Sequence, residues 1–388
     1  MLAEAFRRGR YSAANGQQVW LGIQLSVALD VLLDEWGVAR AMLVTNTSLS
    51  GSGRPAASVQ GLLGRHCVGY VAGVGAHAPM EDVVRIVRAT RDADADLIVG
   101  LGGGSVCSAI KIARLALANG VNSVADLQAL ADAAQPDGPL VRAIAIPTTL
   151  SAGEFTPFAG ARDPATGQKR PFHYPGLAPD AVVMDAALVR GTPLPLWLAT
   201  GIRALDHIVE TWCSVDSSPL SDAAALHASR LLVPALEACA RSGERRASDD
   251  VLHSCQAAAW LAIQGVAAGV AQGASHGIGH ELGGLAGMPH GITSCIMLPQ
   301  VLRFNASVNL HRQDALAAYL EWPSGGLADG IAALVASLGL PGRLRDAGIS
   351  KDVLPRVADA ALHNAWVRTN PRVFDDAQAI LGLLEQAW

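Results

Sequence analysis

An unbroken apolar run that leads into a glycine-rich turn and then a helix is the feature that most constrains the fold of this chain. Residues 96–100 (DLIVG) have the pattern of a parallel strand that is buried on both faces. The turn 101–105 (LGGGS) follows at once, and a helical pattern continues to Leu117. Glycines let a backbone approach a diphosphate, and the free amides and dipole of a helix start favour its negative charge. The segment predicts a phosphate-binding loop at Gly103, Gly104 and Ser105, although such turns also occur without a ligand.

Strand-like and helix-like segments alternate through the first half of the chain. Apolar runs predict further strands at residues 40–44, 66–70, 142–146 and 181–184. Helical periodicity extends over residues 19–36 and 79–91. This alternation predicts a doubly wound parallel sheet. Thr148 and Thr149 follow one of the strands, and because open sheets bind ligands beyond the carboxyl ends of their strands, both are candidate cofactor-binding residues.

The second half of the chain has a different character. From about residue 193 the sequence is rich in Ala and Leu with helical spacing. With 388 residues the chain is long enough for two domains with cores of their own. We therefore predict an α/β domain over residues 1–188 and an all-α domain over residues 189–388.

The composition limits the partners that the chain can have. Hydrophobic residues make up 51% and charged residues 16%, which is typical of a well-buried globular protein. A net charge of -5 argues against nucleic acid or an anionic membrane as a partner. The six cysteines have no CxxC spacing, which indicates reduced thiols. Residues 1–16 lack the apolar segment of a signal peptide, so we expect a soluble, cytoplasmic protein.

Histidines are concentrated in residues 275–291 (SHGIGHELGGLAGMPHG), which hold three of the eleven in the chain. His276 and His280 are four residues apart and would lie on one face of a helix. His290 stands in a Pro-His-Gly bend that can turn its imidazole back towards that face. Arg203 and His207 have the same helical spacing in another segment. Polar groups in an apolar run are costly to bury without partners or a task, so these residues predict a functional cluster rather than unrelated histidines.

Five motifs together resemble the iron-containing alcohol dehydrogenase superfamily, whose fold is related to that of dehydroquinate synthase. In chain order they are GGGSVCSAIK, PTTLSAGEFTP, GIRALDHIVE, HGIGHELGG with MPHG, and the Asn-Pro-Arg of residues 370–372. The resemblance covers nearly the whole chain and implies an NAD(P)-dependent oxidoreductase that forms a homodimer. It also implies that the α/β domain, residues 1–188, binds the dinucleotide, and that the helical domain, residues 189–388, binds the substrate and carries the catalytic residues. It assigns seven residues to cofactor binding: Asn46, Gly103, Gly104, Ser105, Thr148, Thr149 and Lys169.

Two of these cofactor residues leave alternatives open. Many family members have an Asp at position 46 that repels a 2′-phosphate, whereas Asn46 is neutral, so both NADH and NADPH stay possible. Lys169 can equally be an ordinary exposed loop lysine.

The resemblance breaks at the metal site. Metal-dependent members bind iron or zinc with an Asp and three histidines; His207, His276 and His290 match the histidines, but Arg203 stands in place of the Asp. A guanidinium about 5 Å from a divalent ion opposes binding by roughly 6–7 kcal/mol at an effective dielectric constant near 20. Asp206 should point about a quarter-turn away from His207 and be a poor substitute ligand. We therefore predict no metal.

Two further departures resemble the maleylacetate reductase branch, whose members reduce a carbon–carbon double bond in an unsaturated oxo-dicarboxylate during aromatic compound catabolism. Ser108 replaces a loop Asp, and PTTLSAGEFTP is one residue shorter than the usual motif. The branch usually has a neutral residue at position 203, so the resemblance is imperfect.

We interpret the chain as a reductase of a carboxylate-bearing substrate. Arg203 would clamp a carboxylate with two parallel hydrogen bonds. The three histidines at positions 207, 276 and 290 would donate to the carbonyl or enolate oxygen, and His280 would relay a proton. Arg203 could instead form an ion pair with Asp206 or Glu210. The alternatives for the whole protein are an iron- or zinc-dependent alcohol or aldehyde dehydrogenase that uses the three histidines, and a nucleotide-binding protein without catalysis.

Overall fold

The computed structural model describes residues 8–13, 15–131, 135–243, 247–322 and 326–388. The chain divides between Thr192 and Pro193 into two compact units. The first unit contains the strands and the second consists of helices. The sequence analysis draws the boundary at residue 188, and the assignment of one unit to the cofactor and the other to the substrate stays a prediction.

The first unit is built on a seven-stranded, mostly parallel sheet. The strands of the unit are β1 (Gly9–Ser12), β2 (Gln18–Leu21), β3 (Ala41–Thr45), β4 (Cys67–Val71), β5 (Leu97–Gly102), β6 (Arg142–Pro147), β7 (Phe158–Arg162), β8 (Lys169–His173) and β9 (Ala181–Met184). Their order in the large sheet is β1-β2-β9-β6-β5-β3-β4, and all neighbours are parallel except β1 and β2. Strands β7 and β8 form a separate antiparallel pair. The predicted parallel sheet is confirmed.

Helices connect the strands of this unit. They are α1 (Leu25–Trp36), α2 (Pro55–Leu63), α3 (Met80–Asp92), α4 (Gly104–Ala118), α5 (Val124–Ala131) and α6 (Ala186–Val189), with 3-10 turns at Thr47–Leu49, Gly64–His66 and Gly153–Phe155. One core cluster packs Leu29 and Leu32 of α1 against Leu43, Val99 and Ile144 of the sheet, and each of these side chains is at most 1% exposed.

Two sequence-based expectations for this unit need correction. The helix expected over residues 19–36 begins only at Leu25, because Gln18–Leu21 pairs in parallel with β9 and forms β2. Gly22, at φ 68°, separates the strand from the helix in a conformation that favours glycine. The hairpin β7–β8 was not expected, because its strands contain Gly and Pro and lack a long apolar run.

The second unit is entirely helical in the part that the structure describes. Its α-helices are α7 (Leu194–Cys213), α8 (Pro219–Ser242), α9 (Asp249–Ala262), α10 (Gln264–Ala267), α11 (Ala274–Ala286), α12 (His290–Tyr319), α13 (Gly326–Ser337), α14 (Leu354–Leu362), α15 (Ala365–Arg368) and α16 (Ala377–Ala387), with 3-10 turns at Arg345–Ala347 and Lys351–Val353. Helix α7 is buried continuously from Trp197 to Cys213, so it forms the centre of the unit. Among the described helices, none has the length and apolarity needed to cross a bilayer.

Glycine at position 291 allows α12 to start directly against the backbone of α7. A Cβ atom at Gly291 would lie 2.7 Å from both the carbonyl carbon and the carbonyl oxygen of Ala199. Backbone atoms cannot rotate away as a flexible side chain can, so a larger residue would push the two helices apart. Glycine is required here because there is no space for a Cβ atom, and not because of its conformational freedom.

We predict that Gly291→Ala lowers the free energy of unfolding by about 1–3 kcal/mol, the usual cost of overpacking a well-packed contact. Gly284→Ala is the matched control: Gly284 lies in α11 with no atom within 4 Å of its potential Cβ. In a helix interior this change should add roughly 0.5–1 kcal/mol. Urea denaturation followed by circular dichroism measures both. Equal stability of the two variants would show that α12 and α7 are not in close backbone contact.

Candidate active site

The predicted phosphate loop lies between β5 and α4. The first helical bond of α4 runs from the Cys107 amide to the Gly103 carbonyl at 3.1 Å, so the amides of Gly104, Ser105 and Val106 precede it and face outward for an anion. Ser105 Oγ accepts a bond from the His77 amide at 3.0 Å, which leaves its own hydroxyl hydrogen to donate. The geometry fits a phosphate group.

The end of β6 lies against this loop. Thr148 N donates to Gly102 O at 3.0 Å, and a Cβ atom at Gly103 would lie 2.9 Å from Thr149 Cγ2. Thr149 Oγ1 is in turn 3.1 Å from Ser151 Oγ. The structure therefore brings the glycines and the threonines expected from sequence together, because β5 and β6 are neighbours in the sheet.

Asn46 and Lys169, the two other residues assigned to the cofactor, lie on other elements of this unit. Asn46 follows β3, and its Oδ1 accepts bonds from Leu49 N at 3.1 Å and Ser48 Oγ at 3.0 Å. Lys169 lies on β8. Burial, and then the charges of Lys169 and Arg162, lower the pKa of His77. Lys169 therefore lies within electrostatic range of the residue that binds Ser105.

A buried lysine, which sequence reasoning did not select, anchors the segment after Thr149. Lys111 is only 1% exposed, and its Nζ donates to the carbonyls of Gly153 and Thr156, both at 2.8 Å, and to that of Phe158. Glu154 lies in the same segment and is 4% exposed. Burial raises the pKa of Glu154 to about 7, although its own backbone amide and the charge of Lys111 oppose the rise. Lys111 is the last residue of the motif GGGSVCSAIK, which was the available signal.

The histidines expected from sequence form two ring contacts in the helical unit. The ring of His276 on α11 lies 4.7 Å from that of His207 on α7, measured between centroids. The ring of His280 lies 5.4 Å from that of His290. Gly283 makes room for His290, since a Cβ atom there would lie 2.9 Å from His290 Cε1. The bend at residue 290 thus does turn its imidazole back towards α11.

Arg203 and Asp206 lie next to these histidines. Arg203 is 7% exposed, and its Nη1 donates to Ser294 Oγ at 3.2 Å and lies 3.7 Å from Asp206 Oδ2. The same Oδ2 accepts bonds from Ser275 and Ser294 and lies 3.4 Å from His276 Nδ1. The sequence predicts that Asp206 points about a quarter-turn away from His207 and is a poor substitute ligand, but the structure places its carboxylate beside His276. A quarter-turn from His207 still faces protein, because α11 and α12 both pack against α7.

Glu210 binds both the backbone and the ring of the first histidine on α11. Its carboxylate accepts from the amides of Gly273 and Ser275, each at 2.8 Å, where a negative charge also complements the helix dipole. His276 Nδ1 lies 2.8 Å from Glu210 Oε2. Sequence reasoning gave Glu210 only as a possible partner of Arg203, and missed that it positions His276.

The two neighbouring histidines have opposite pKa shifts. Burial and the charge of Arg203 oppose protonation of His276, but Asp206 and Glu210 together outweigh them and raise its pKa. Burial, followed by the charges of His276 and Arg203, lowers the pKa of His207 well below its ordinary value. The cluster therefore pairs a histidine whose pKa is raised with one whose pKa is lowered.

Comparison with known proteins identifies the family. Residues 17–186 match iron-containing alcohol dehydrogenases, and residues 197–388 match the C-terminal part of the same family. The chain belongs to the iron-containing alcohol dehydrogenase family. It is therefore an oxidoreductase, as the motifs predicted.

Individual relatives come from both fungi and bacteria. Dehydrogenase ALT3 of Alternaria alternata is 32% identical over 367 residues, which are 87% of this chain and 96% of that protein. Maleylacetate reductase 1 of Rhodococcus opacus is 31% identical over 331 residues, with 85% of this chain and 83% of that protein covered. The crystal structure of maleylacetate reductase from Agrobacterium tumefaciens superimposes with a TM-score of 0.80 at 25% identity over 99% of both chains. The maleylacetate reductases are thus among the relatives, as expected.

The cluster contains a group of side chains that could bind a metal ion. Among the described residues, Asp206, Glu210 and His276 form the one group of three potential ligands, with ligand atoms within 4.8 Å of one another. Their oxygens already accept bonds from backbone amides and serine hydroxyls, and the Arg203 guanidinium lies 3.7 Å from Asp206. The three histidines do not form such a group. A divalent ion in this group would have to displace these donors and would lie close to the positive charge of Arg203.

We predict that Glu154 makes stability depend on pH. Because its pKa rises from 4.5 to about 7 on folding, its contribution is complete below pH 4.5 and is lost as the pH rises through about 7. The loss amounts to roughly 3 kcal/mol. Glu154→Gln should flatten this part of the profile of unfolding free energy against pH, measured with urea at pH 5 and pH 8. Glu237→Gln, on an exposed side chain, is the control; a slope in Glu154→Gln equal to the wild type's would refute the assignment.

Proposed function

We propose that this protein is an NAD(P)H-dependent reductase of the maleylacetate reductase type. It would reduce the carbon–carbon double bond of an unsaturated oxo-carboxylate, or a related carbonyl compound, without a divalent metal. The observation that carries this proposal is the position of the Arg203 guanidinium, which lies beside His207, His276 and Asp206 where metal-dependent members have a carboxylate ligand. The relatives named maleylacetate reductase support the substrate class.

The fit of the first unit to a dinucleotide supports the cofactor. Three outward-facing amides at the start of α4, the Ser105 hydroxyl and the adjacent Thr148 and Thr149 offer donors to phosphate oxygens. When bound, NAD(P)H supplies a hydride to the substrate. Lys111 would keep the segment after Thr149 in place through its three backbone bonds.

Arg203 would bind the substrate through its unused donors. The bond of Nη1 to Ser294 is the one hydrogen bond that the guanidinium makes within the described residues, so Nε and Nη2 remain for a carboxylate. Asp206 Oδ2 lies 3.7 Å from the same Nη1 atom, so the ion pair leaves Nε and Nη2 unused. The ion pair and the clamp, which the sequence left as alternatives, are therefore compatible with each other.

The histidines would manage charge and protons during reduction. When hydride adds to one carbon of the double bond, the electron pair moves to the conjugated carbonyl oxygen and gives an enolate. We assign stabilisation of that oxygen to His207, His276 and His290, and return of a proton to the neighbouring carbon to His280. The Nε2 atom of His276 is buried without a partner among the described residues, which suits it to this task.

The second candidate is an iron- or zinc-dependent alcohol or aldehyde dehydrogenase. The cluster of Asp206, Glu210 and His276 is the observation in its favour. Assembly as a homodimer, a role in aromatic compound catabolism and a cytoplasmic location stay predictions.

Metal content and turnover together test the proposal. We predict well under one metal ion per chain by elemental mass spectrometry, and oxidation of NADH or NADPH with maleylacetate that is unchanged after EDTA. Arg203→Gln should raise KM for maleylacetate roughly 10- to 100-fold, because a charge-assisted pair of hydrogen bonds contributes about 1.5–3 kcal/mol. KM for the cofactor should not change.

Arg230→Gln is the control for this experiment, since Arg230 forms an exposed ion pair with Glu321 elsewhere on the helical unit. Near-stoichiometric iron or zinc with EDTA-sensitive alcohol oxidation would establish the second candidate instead. An unchanged KM in Arg203→Gln would remove Arg203 from the substrate site.

We predict that Asn46→Asp shifts cofactor choice towards NADH. Asp can accept the same bonds from Ser48 and Leu49, so the loop keeps its shape, but a carboxylate repels a 2′-phosphate. The ratio of kcat/KM with NADPH to that with NADH should fall about tenfold. Asn122→Asp, in the exposed loop after α4, adds the same charge elsewhere and should leave the ratio unchanged. A constant ratio in Asn46→Asp would place Asn46 away from the cofactor ribose.

A further inference from the structure

Trp366 contacts two histidines of the candidate site at once. Its ring centroid lies 4.4 Å from that of His280, with 41° between the planes, and 5.6 Å from that of His276, edge to face at 78°. These histidines are one helical turn apart on α11, and the indole spans the interval between them. No sequence motif pointed to this residue, which lies far along the chain on the short helix α15.

Several contacts fix the position of the indole. Asn364 Oδ1 accepts a bond from the Trp366 amide at 3.0 Å, and Asn364 Nδ2 donates to Glu281 of α11 at 2.8 Å. Gly277 permits the close approach, because a Cβ atom there would lie 2.9 Å from the amide nitrogen of Val367. The backbone of α15 therefore packs directly on α11 and sets the indole against the histidine rings.

The side chain keeps surface for a ligand. Trp366 is half-buried, and its indole N–H donates to no acceptor among the residues that the structure describes. Its neighbour His276 is fully buried and bound to Glu210, so that ring cannot rotate freely. Packing alone would favour an apolar side chain of any shape here. A flat aromatic ring beside two imidazoles instead suits a flat ligand, because aromatic faces attract planar π-systems.

We propose that Trp366 is a specificity-determining residue: its indole forms the wall against which the flat, conjugated part of the unsaturated oxo-acid lies. This assignment rests on the proposed function. The wall holds a planar carbon–carbon double bond beside the proton relay at His280. A substrate that carries a substituent out of that plane meets the indole and is rejected. Trp366 thus discriminates by shape, whereas Arg203 recognises charge.

The experiment compares substrate discrimination in variants of the full-length protein. We measure kcat/KM for maleylacetate and for a derivative of it that keeps the double bond but carries a tert-butyl substituent, which extends out of the plane of that bond, in wild type, Trp366→Phe and Trp366→Ala. Trp366→Ala should reduce the preference for maleylacetate at least tenfold, mainly through KM. Trp366→Phe keeps a flat ring and should retain the preference within about threefold. Trp388→Ala is the control: it removes another half-buried tryptophan and should leave the preference for maleylacetate as in wild type.

The outcomes separate this inference from the proposed function. If wild type reduces maleylacetate and Trp366→Ala keeps its preference, the wall is refuted and the reductase stands. If wild type does not reduce maleylacetate, the proposed function fails. Fluorescence titration with 3-oxoadipate, a flexible oxo-dicarboxylate, then tests whether the Trp366 indole lies in the ligand site. Quenching in wild type that is absent from Trp366→Phe would still place the indole in the ligand site; equal quenching or none would overturn the inference. A purely structural role would lower thermal stability without changing the substrate ratio.

Discussion

A buried cluster of two carboxylates, one arginine and one histidine holds the centre of the helical unit. Asp206 and Glu210, on successive turns of α7, both reach Nδ1 of His276 on α11, and Arg203 lies 3.7 Å from Asp206. Removing a charge from water costs several kcal/mol unless a partner compensates it. Helices α7, α11 and α12 must therefore pack in one register for these groups to meet. The same contacts that satisfy the charges also fix the histidines, so packing and site chemistry depend on each other.

In the α/β unit a buried positive charge binds backbone groups, as the buried negative charge of Glu210 does in the helical unit. Lys111 donates to three backbone carbonyls after β6, whereas Glu210 accepts from backbone amides at the start of α11. In both places a charged side chain satisfies backbone groups that no secondary structure would satisfy. Each anchors a segment that carries functional residues. Loss of either charge would destabilise the position of the functional residues on that segment, although the charged side chain itself does not contact a ligand.

The family fold accommodates the change at position 203 because the change is local. Motifs that build the sheet, the phosphate loop and the helical bundle are all present, and function resides in the site that the fold carries. In the proposed reductase, a cation fixed by the protein takes the place of an exchangeable metal ion. Such a cation directs donors at a carboxylate, which a metal with three histidines would not do in the same geometry.

The sequence by itself determined the elements that have strong local patterns and the side chains that share one helix. The strands β3, β5, β6 and β9 coincide with apolar runs, because burial on both faces requires apolar residues. The turn before α4 is recognisable from its glycines, because close backbone approach requires residues without a side chain. Spacing of four placed His276 and His280 on one face for the same local reason. Tertiary structure decided that Gln18–Leu21 is a strand, since it pairs with β9. It also decided that Asp206 faces the histidines and that Trp366 joins them. Helical spacing fixes directions within one element, but contacts between elements depend on packing that no local pattern specifies.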